Sequence, residues 1–183
     1  MSDEGNPLQP EHVFKKVIWR GTIEIGEALE RSTTWTLGGV AAIVGLLISN
    51  LDSVAKIVSL EGIKTSIVLF TASLLAGAIS KQIGMAVTAG LSTLKQVDSL
   101  FASDAGQALL SQMTISPREL VMDLAEPFVW PLSQLVRRQG DRGVVDYVAS
   151  EKRFVRMLCI QILLNGLHGL LALAAFLTIA LSI

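Results

Sequence analysis

Residues 157–183 read MLCIQILLNGLHGLLALAAFLTIALSI, without a single Asp, Glu, Lys or Arg. At about 1.5 Å per residue a helix of this run reaches roughly 40 Å, more than the hydrocarbon core of a bilayer, about 30 Å. Lys152, Arg153 and Arg156 stand immediately before it. A charge carried to the bilayer centre costs roughly 2.5–3.5 kcal/mol, so such boundaries mark where a chain enters lipid. The stretch therefore predicts a membrane-spanning helix, long enough to tilt.

Two further runs follow the same rule. Ser32 to Leu51 lies between Arg31 and Asp52, with Trp35 near its start, where an interfacial aromatic is expected. A weaker span is predicted at about 63–83. Its charge-free part, Thr65 to Ser80, is bounded by Lys64 and Lys81, whose stems can extend toward headgroups. Gln82 to Leu94 is again uncharged, so this helix is expected to run on beyond Lys81. The connector Asn50 to Gly62 suits two antiparallel neighbours. The expected fold is an all-α integral membrane bundle of about three transmembrane helices.

Composition agrees. Of 183 residues, 51% are hydrophobic and 17% charged. An ordinary soluble domain carries about 25% charge. The net charge of −1 gives nucleic acid no attraction. The lone Cys159 excludes an intrachain disulfide and reads as a small buried apolar side chain.

The chain divides on these grounds into four parts. Residues 1–31 form a polar leader and an amphipathic helix. Residues 32–94 form a transmembrane hairpin. Residues 95–156 form a cytoplasmic helical region, and 157–183 the last span. In the first part Phe14, Val17, Ile18, Gly21, Ile25 and Leu29 recur at helical spacing, flanked by Lys15, Lys16 and Arg20, with Trp19 as an amphipathic ring. That helix either lies in the headgroup layer or packs on the protein's own cytoplasmic part. The leader has neither a secretory nor an organelle-targeting pattern, so the spans are expected to serve as their own insertion signals.

The 95–156 region carries its own punctuation. Ser116-Pro117-Arg118-Glu119 is a helix start: Ser116 can cap, Pro117 fits the first turn, and Glu119 can reach back to the cap N–H. Pro127 and Pro131 bracket the apolar Phe128, Val129 and Trp130. A short helix with Leu132, Leu135 and Val136 is expected, then a turn at Gly140 to Gly143, and helix again from Val144. The region also holds most of the basic residues, which places it, with the N-terminus, on the cytoplasmic side and the C-terminus outside. A bacterial cytoplasmic membrane is the default location.

No motif for chemistry is present. The two histidines, His12 and His168, lie far apart, no Cys/His spacing suits zinc, and neither a phosphate loop nor a nucleophile elbow occurs. No cofactor is expected. The informative polar residues are Gln161, Asn165 and His168, four and three apart on one face of the last span. Interhelical hydrogen bonding is the default reading; the sharper one is a stripe lining a pore. Small residues recur every four positions at Ala72, Ala76, Ser80, Gly84 and Thr88, and at Ala41, Gly45 and Ser49. Such stripes let helices approach closely, within one chain or between subunits. Lys15, Lys16, Trp19, Arg20, Trp35, Lys81, Arg137 and Arg138 are candidates for the headgroup or interface layer.

Three functions remain in competition. The first is a non-catalytic membrane protein acting by assembly, as a homo-oligomer or with a partner docked on 95–156. The second is an oligomeric pore or transport element lined by the polar face. The third is a membrane enzyme, for which no nucleophile or metal set can be assembled. The lipid bilayer is the one partner common to all three.

Overall fold

A computed structural model describes residues 10–112, 116, 119, 122–123, 125–130, 133–134, 136–138 and 149–183. The expected leader, Pro117, Leu132, Leu135, the Gly140 to Gly143 turn and the helix from Val144 to Tyr147 lie outside them. The chain is all-helical, with no strand among the described residues. The helices described throughout are α1 (Pro10–Ser49), the single turn α2 (Leu51–Val54), α3 (Leu60–Ala102), α4 (Asp104–Gln112) and α5 (Ala149–Ala180). Three of them, α1, α3 and α5, are long and apolar enough to cross a membrane.

These helices exceed what a bilayer needs. With 40 residues α1 is about 60 Å long, and with 43 residues α3 is about 64 Å. The amphipathic stretch and the first span are thus one uninterrupted helix. Gly38 and Gly39 do not break it. In hydrocarbon a freed backbone N–H or C=O would find no water, so helix is retained even where propensity is poor. α1 stops where polar side chains take over its last carbonyls. Ser49 donates to the Gly45 carbonyl at 2.7 Å and the Asn50 amide to that of Leu46 at 2.9 Å. Ser59 then caps α3, its hydroxyl accepting the Gly62 N–H at 3.2 Å.

The chain separates into two compact units. The apolar unit comprises Glu24–Ala89 and Arg156–Ile183. Here α3 and α5 run antiparallel with a repeat of seven. Ser66 donates to the Ala175 carbonyl (3.1 Å), Ser73 to that of His168 (2.8 Å) and Ser80 to that of Gln161 (3.1 Å). The Ser59 N–H extends the series to the Ser182 carbonyl at 3.1 Å. Each step of seven up α3 is a step of seven down α5. A seven-residue repeat drifts only about 20° around a helix, so one seam persists over the whole contact. Serine is small enough for close approach, and its hydroxyl finds an acceptor where lipid offers none.

α1 lies antiparallel to α3 in the same unit: Leu37 packs at Gly77, and Glu30 at Gly84 and Thr88. Together these registers bring Arg31, Lys81 and Arg156 to nearly one level. The charge-free lengths of the three helices therefore lie side by side. Toward the α2 end of the unit the core is apolar, built of Val40, Phe70, Ala172 and Ala175 with Ile43, Val44, Leu69, Leu74 and Ile179 around them. Phe70 meets Phe176 edge to face, ring centroids 5.2 Å apart.

The second unit comprises Met1–Ile23 and Gly90–Val155 and holds a part-buried ionic cluster. Glu151, 2% exposed, sits between Arg20 at 3.2 Å and Lys16 at 3.9 Å. Asp98 accepts from Arg20 as well and lies 3.9 Å from Lys16. Gly90 allows the Phe154 ring to lie against α3, since a Cβ there would overlap the ring. α3 ends at Ala102, and the next residue, Ser103, caps α4, its hydroxyl accepting the Gly106 N–H at 3.0 Å. The Ser116–Glu119 box forms as the spacing predicts: the Ser116 N–H donates to the Glu119 carboxylate at 2.9 Å, and the Glu119 N–H to the Ser116 hydroxyl at 3.2 Å.

Candidate functional site

The polar residues of α5 point inward. Gln161 and His168 are fully buried and Asn165 half-buried, all toward the seam between α1 and α3. Glycines make the room. A Cβ at Gly77 would stand 3.0 Å from His168 Nδ1 and 2.8 Å from Leu37. One at Gly84 would stand 2.5 Å from Gln161 Nε2, and one at Gly26 3.9 Å from Gln161 Oε1. The Gln161 amide thus occupies the space between Gly26 and Gly84, and the imidazole rests on Gly77.

Their hydrogen bonding is uneven. Thr33 donates to Asn165 Oδ1 at 3.0 Å and to the Leu29 carbonyl at 2.8 Å. His168 Nδ1 lies 2.8 Å from the Ser73 carbonyl and 2.7 Å from its hydroxyl oxygen. A carbonyl only accepts, and the Ser73 proton is committed to the His168 carbonyl. Nδ1 therefore carries a hydrogen, and in the singly protonated ring Nε2 is then a bare acceptor. That Nε2, and both polar atoms of the Gln161 amide, are buried with no partner. Burying such groups unpaired costs on the order of 1–3 kcal/mol each.

The core is thus polar in one half and apolar in the other. From the level of Arg31 and Glu30, where Thr88 donates to Glu30 at 3.2 Å, polar groups descend through Gln161 and Asn165 to His168. Beyond His168 comes the floor of Val40, Phe70 and Ala172.

The remaining candidates are distributed otherwise. Ala76, Ser80 and Gly84 are buried in the α3 seam, while Ala72 and Thr88 are half-buried at its flanks. A strict repeat of four advances about 40° per step and winds off the contact face, whereas the serine repeat stays on it. Ala41, Gly45 and Ser49 are exposed on the open side of α1, and a Cβ on Gly45 would meet nothing within 4 Å. Lys15, Trp35, Arg137 and Arg138 are exposed, and Trp19 and Lys81 half-buried. Lys16 and Arg20 turn to Asp98 and Glu151. Cys159 is exposed on the outer face of α5, not buried: the apolar residues around it face outward too, where lipid takes the place of a protein core.

Sequence reasoning passed over Ser66, Ser73, Thr33 and Glu151. The serine repeat was present as a heptad, but serine is common enough in spans to hide it. Glu151 stands in the first turn of α5, a favourable place for a carboxylate, yet its partner Arg20 is 131 residues away. Among the described residues no three His, Cys, Asp or Glu side chains come together as a metal site would require.

Fold and seam together define an all-helical chain with three helices suited to crossing a membrane and a half-polar interhelical core. Compared with known protein families, curated proteins and solved structures, it matches none.

Proposed function

We propose that this chain is a non-catalytic integral membrane protein that acts through assembly, docking a partner protein or further copies of itself on the 95–156 region. One observation carries the reading. Outside the charge-free stretches, Phe128, Val129 and Trp130 stand on a turn, with Val129 74% and Trp130 75% exposed. Consecutive exposed apolar residues of this size, with an aromatic at the tip, resemble the anchors of protein interfaces. Basic residues in the same region favour the cytoplasmic side of a bacterial inner membrane, with the N-terminus inside and the C-terminus outside. Crosslinking of the protein in its native membrane should give one discrete larger species, lost in Trp130→Glu. A monomer in both wild type and variant would refute the proposal.

A pore is less well supported. Gln161 and His168 are already enclosed within a single chain, and the floor at Phe70 closes the polar half. Liposome conductance that falls on Asn165→Leu substitution would favour the pore over assembly.

A further inference from the structure

Three buried polar atoms in one seam lack partners: Nε2 of His168 and both ends of the Gln161 amide. They belong to side chains on one face of α5, about 10 Å apart along its axis at seven residues' rise. Between them, on the same face, stands Asn165, whose Oδ1 is bonded to Thr33. Two orphan sites in a row, with a third polar side chain between them, stand above the apolar floor. Buried polar groups in native proteins find protein or ordered water as partners. Ordered waters favour places where two or more such groups converge.

We propose that the polar half of the core is a hydrated path that enters past Gln161 and delivers water to Nε2 of His168. The tautomer makes the site directional. Nδ1–H is held on the Ser73 carbonyl, so only Nε2 can take a donor. A water at Nε2 donates to the lone pair. Packed against the ring are Ser73 and Gly77 of α3, with Leu37 of α1 also against Gly77. The Glu30 carboxylate chain packs beside Gly84, where the Gln161 amide rests.

The test is solid-state NMR on the full chain in lipid vesicles, with ¹⁵N-labelled histidine and His12→Asn leaving one ring. At neutral pH the ring should show protonated Nδ1 and bare Nε2, with magnetisation transferred from water to the ring. Gln161→Leu should reduce water transfer several-fold and leave the Nδ1–H tautomer unchanged, and Gln161→Glu should retain it. A dry ring in the wild-type protein, a ring protonated at Nε2 at neutral pH, or undiminished transfer in Gln161→Leu would each overturn the proposal. The wild-type spectrum decides the first two outcomes even if a variant fails to fold.

Discussion

Ser73 and His168 grip one another twice: the serine hydroxyl donates to the His168 carbonyl at 2.8 Å, and the imidazole Nδ1 lies 2.8 Å from the Ser73 carbonyl. The pair ties two antiparallel helices at the boundary between the polar and apolar halves of the core. It also places the middle rung of the serine series. Ser73→Ala removes the hydroxyl and its donated bond, and should cost roughly 1–2 kcal/mol, at the upper end of interhelical bonds in membranes. Reversible unfolding in mixed lipid and detergent micelles measures it. A change below the scatter of outward-facing controls such as Leu163→Ala would show that the pair carries no stability.

Gly84 and Gly45 should respond in opposite ways to the same change. Gly84→Leu forces carbon into the space held by the Gln161 amide, 2.5 Å from its Nε2, and should destabilise the fold by several kcal/mol. Gly45→Leu meets open space and should leave the fold intact, gaining up to about 1 kcal/mol from helix propensity. The same unfolding measurement separates the two. If Gly45→Leu proves the more damaging, the packing of α1 described above is wrong.

Glu151→Ala should leave Arg20 and Lys16 facing each other without their most buried counter-charge. Breaking a buried pair by removing one partner costs about 3–5 kcal/mol. The lower end is expected here, because the two cations keep 23% and 20% of their side-chain surface exposed. A double-mutant cycle with Arg20→Met isolates the coupling, and a coupling near zero would reduce the cluster to a surface arrangement.

Acid should loosen the Ser116–Glu119 box. The carboxylate accepts the Ser116 backbone N–H and is engaged with the Ser116 side chain, which holds its pKa below the ordinary value. A group lowered in the folded state contributes stability above its unfolded pKa and loses it as pH falls through the folded one. Carboxyl ¹³C titration should therefore give Glu119 a midpoint below that of exposed glutamates, moving up in Ser116→Ala. An unshifted midpoint in the wild-type protein would contradict the box.

The presence of three long apolar helices was legible in the sequence because a charge in hydrocarbon is costly, so long charge-free runs stand out. The inward polar face was legible too, since Gln161, Asn165 and His168 share a helical spacing. Register was not. Small residues are frequent in α3, and several repeats can be drawn through Ala72, Ser73, Ala76, Gly77 and Ser80. Only the position of the α5 carbonyls selects the repeat of seven. Nor could the continuity of α1 be read, because its first half is patterned for an amphipathic helix and its second for lipid, and nothing at Arg31 marks whether the backbone turns. The ionic cluster joins residues from three distant stretches of sequence, which periodicity within any one of them cannot reveal.

The account rests on α1, α3 and α5 meeting lipid with their outer faces. Leu46, Leu75 and Leu170 point outward from the three helices at 64%, 62% and 67% exposure. In a Cys159→Ser background, a spin label placed singly at each position in lipid vesicles reports its surroundings. All three labels should relax readily with dissolved oxygen and weakly with a water-soluble nickel chelate. Strong relaxation by the chelate at any one of them would put that helix in water, and the three-helix membrane bundle would not stand.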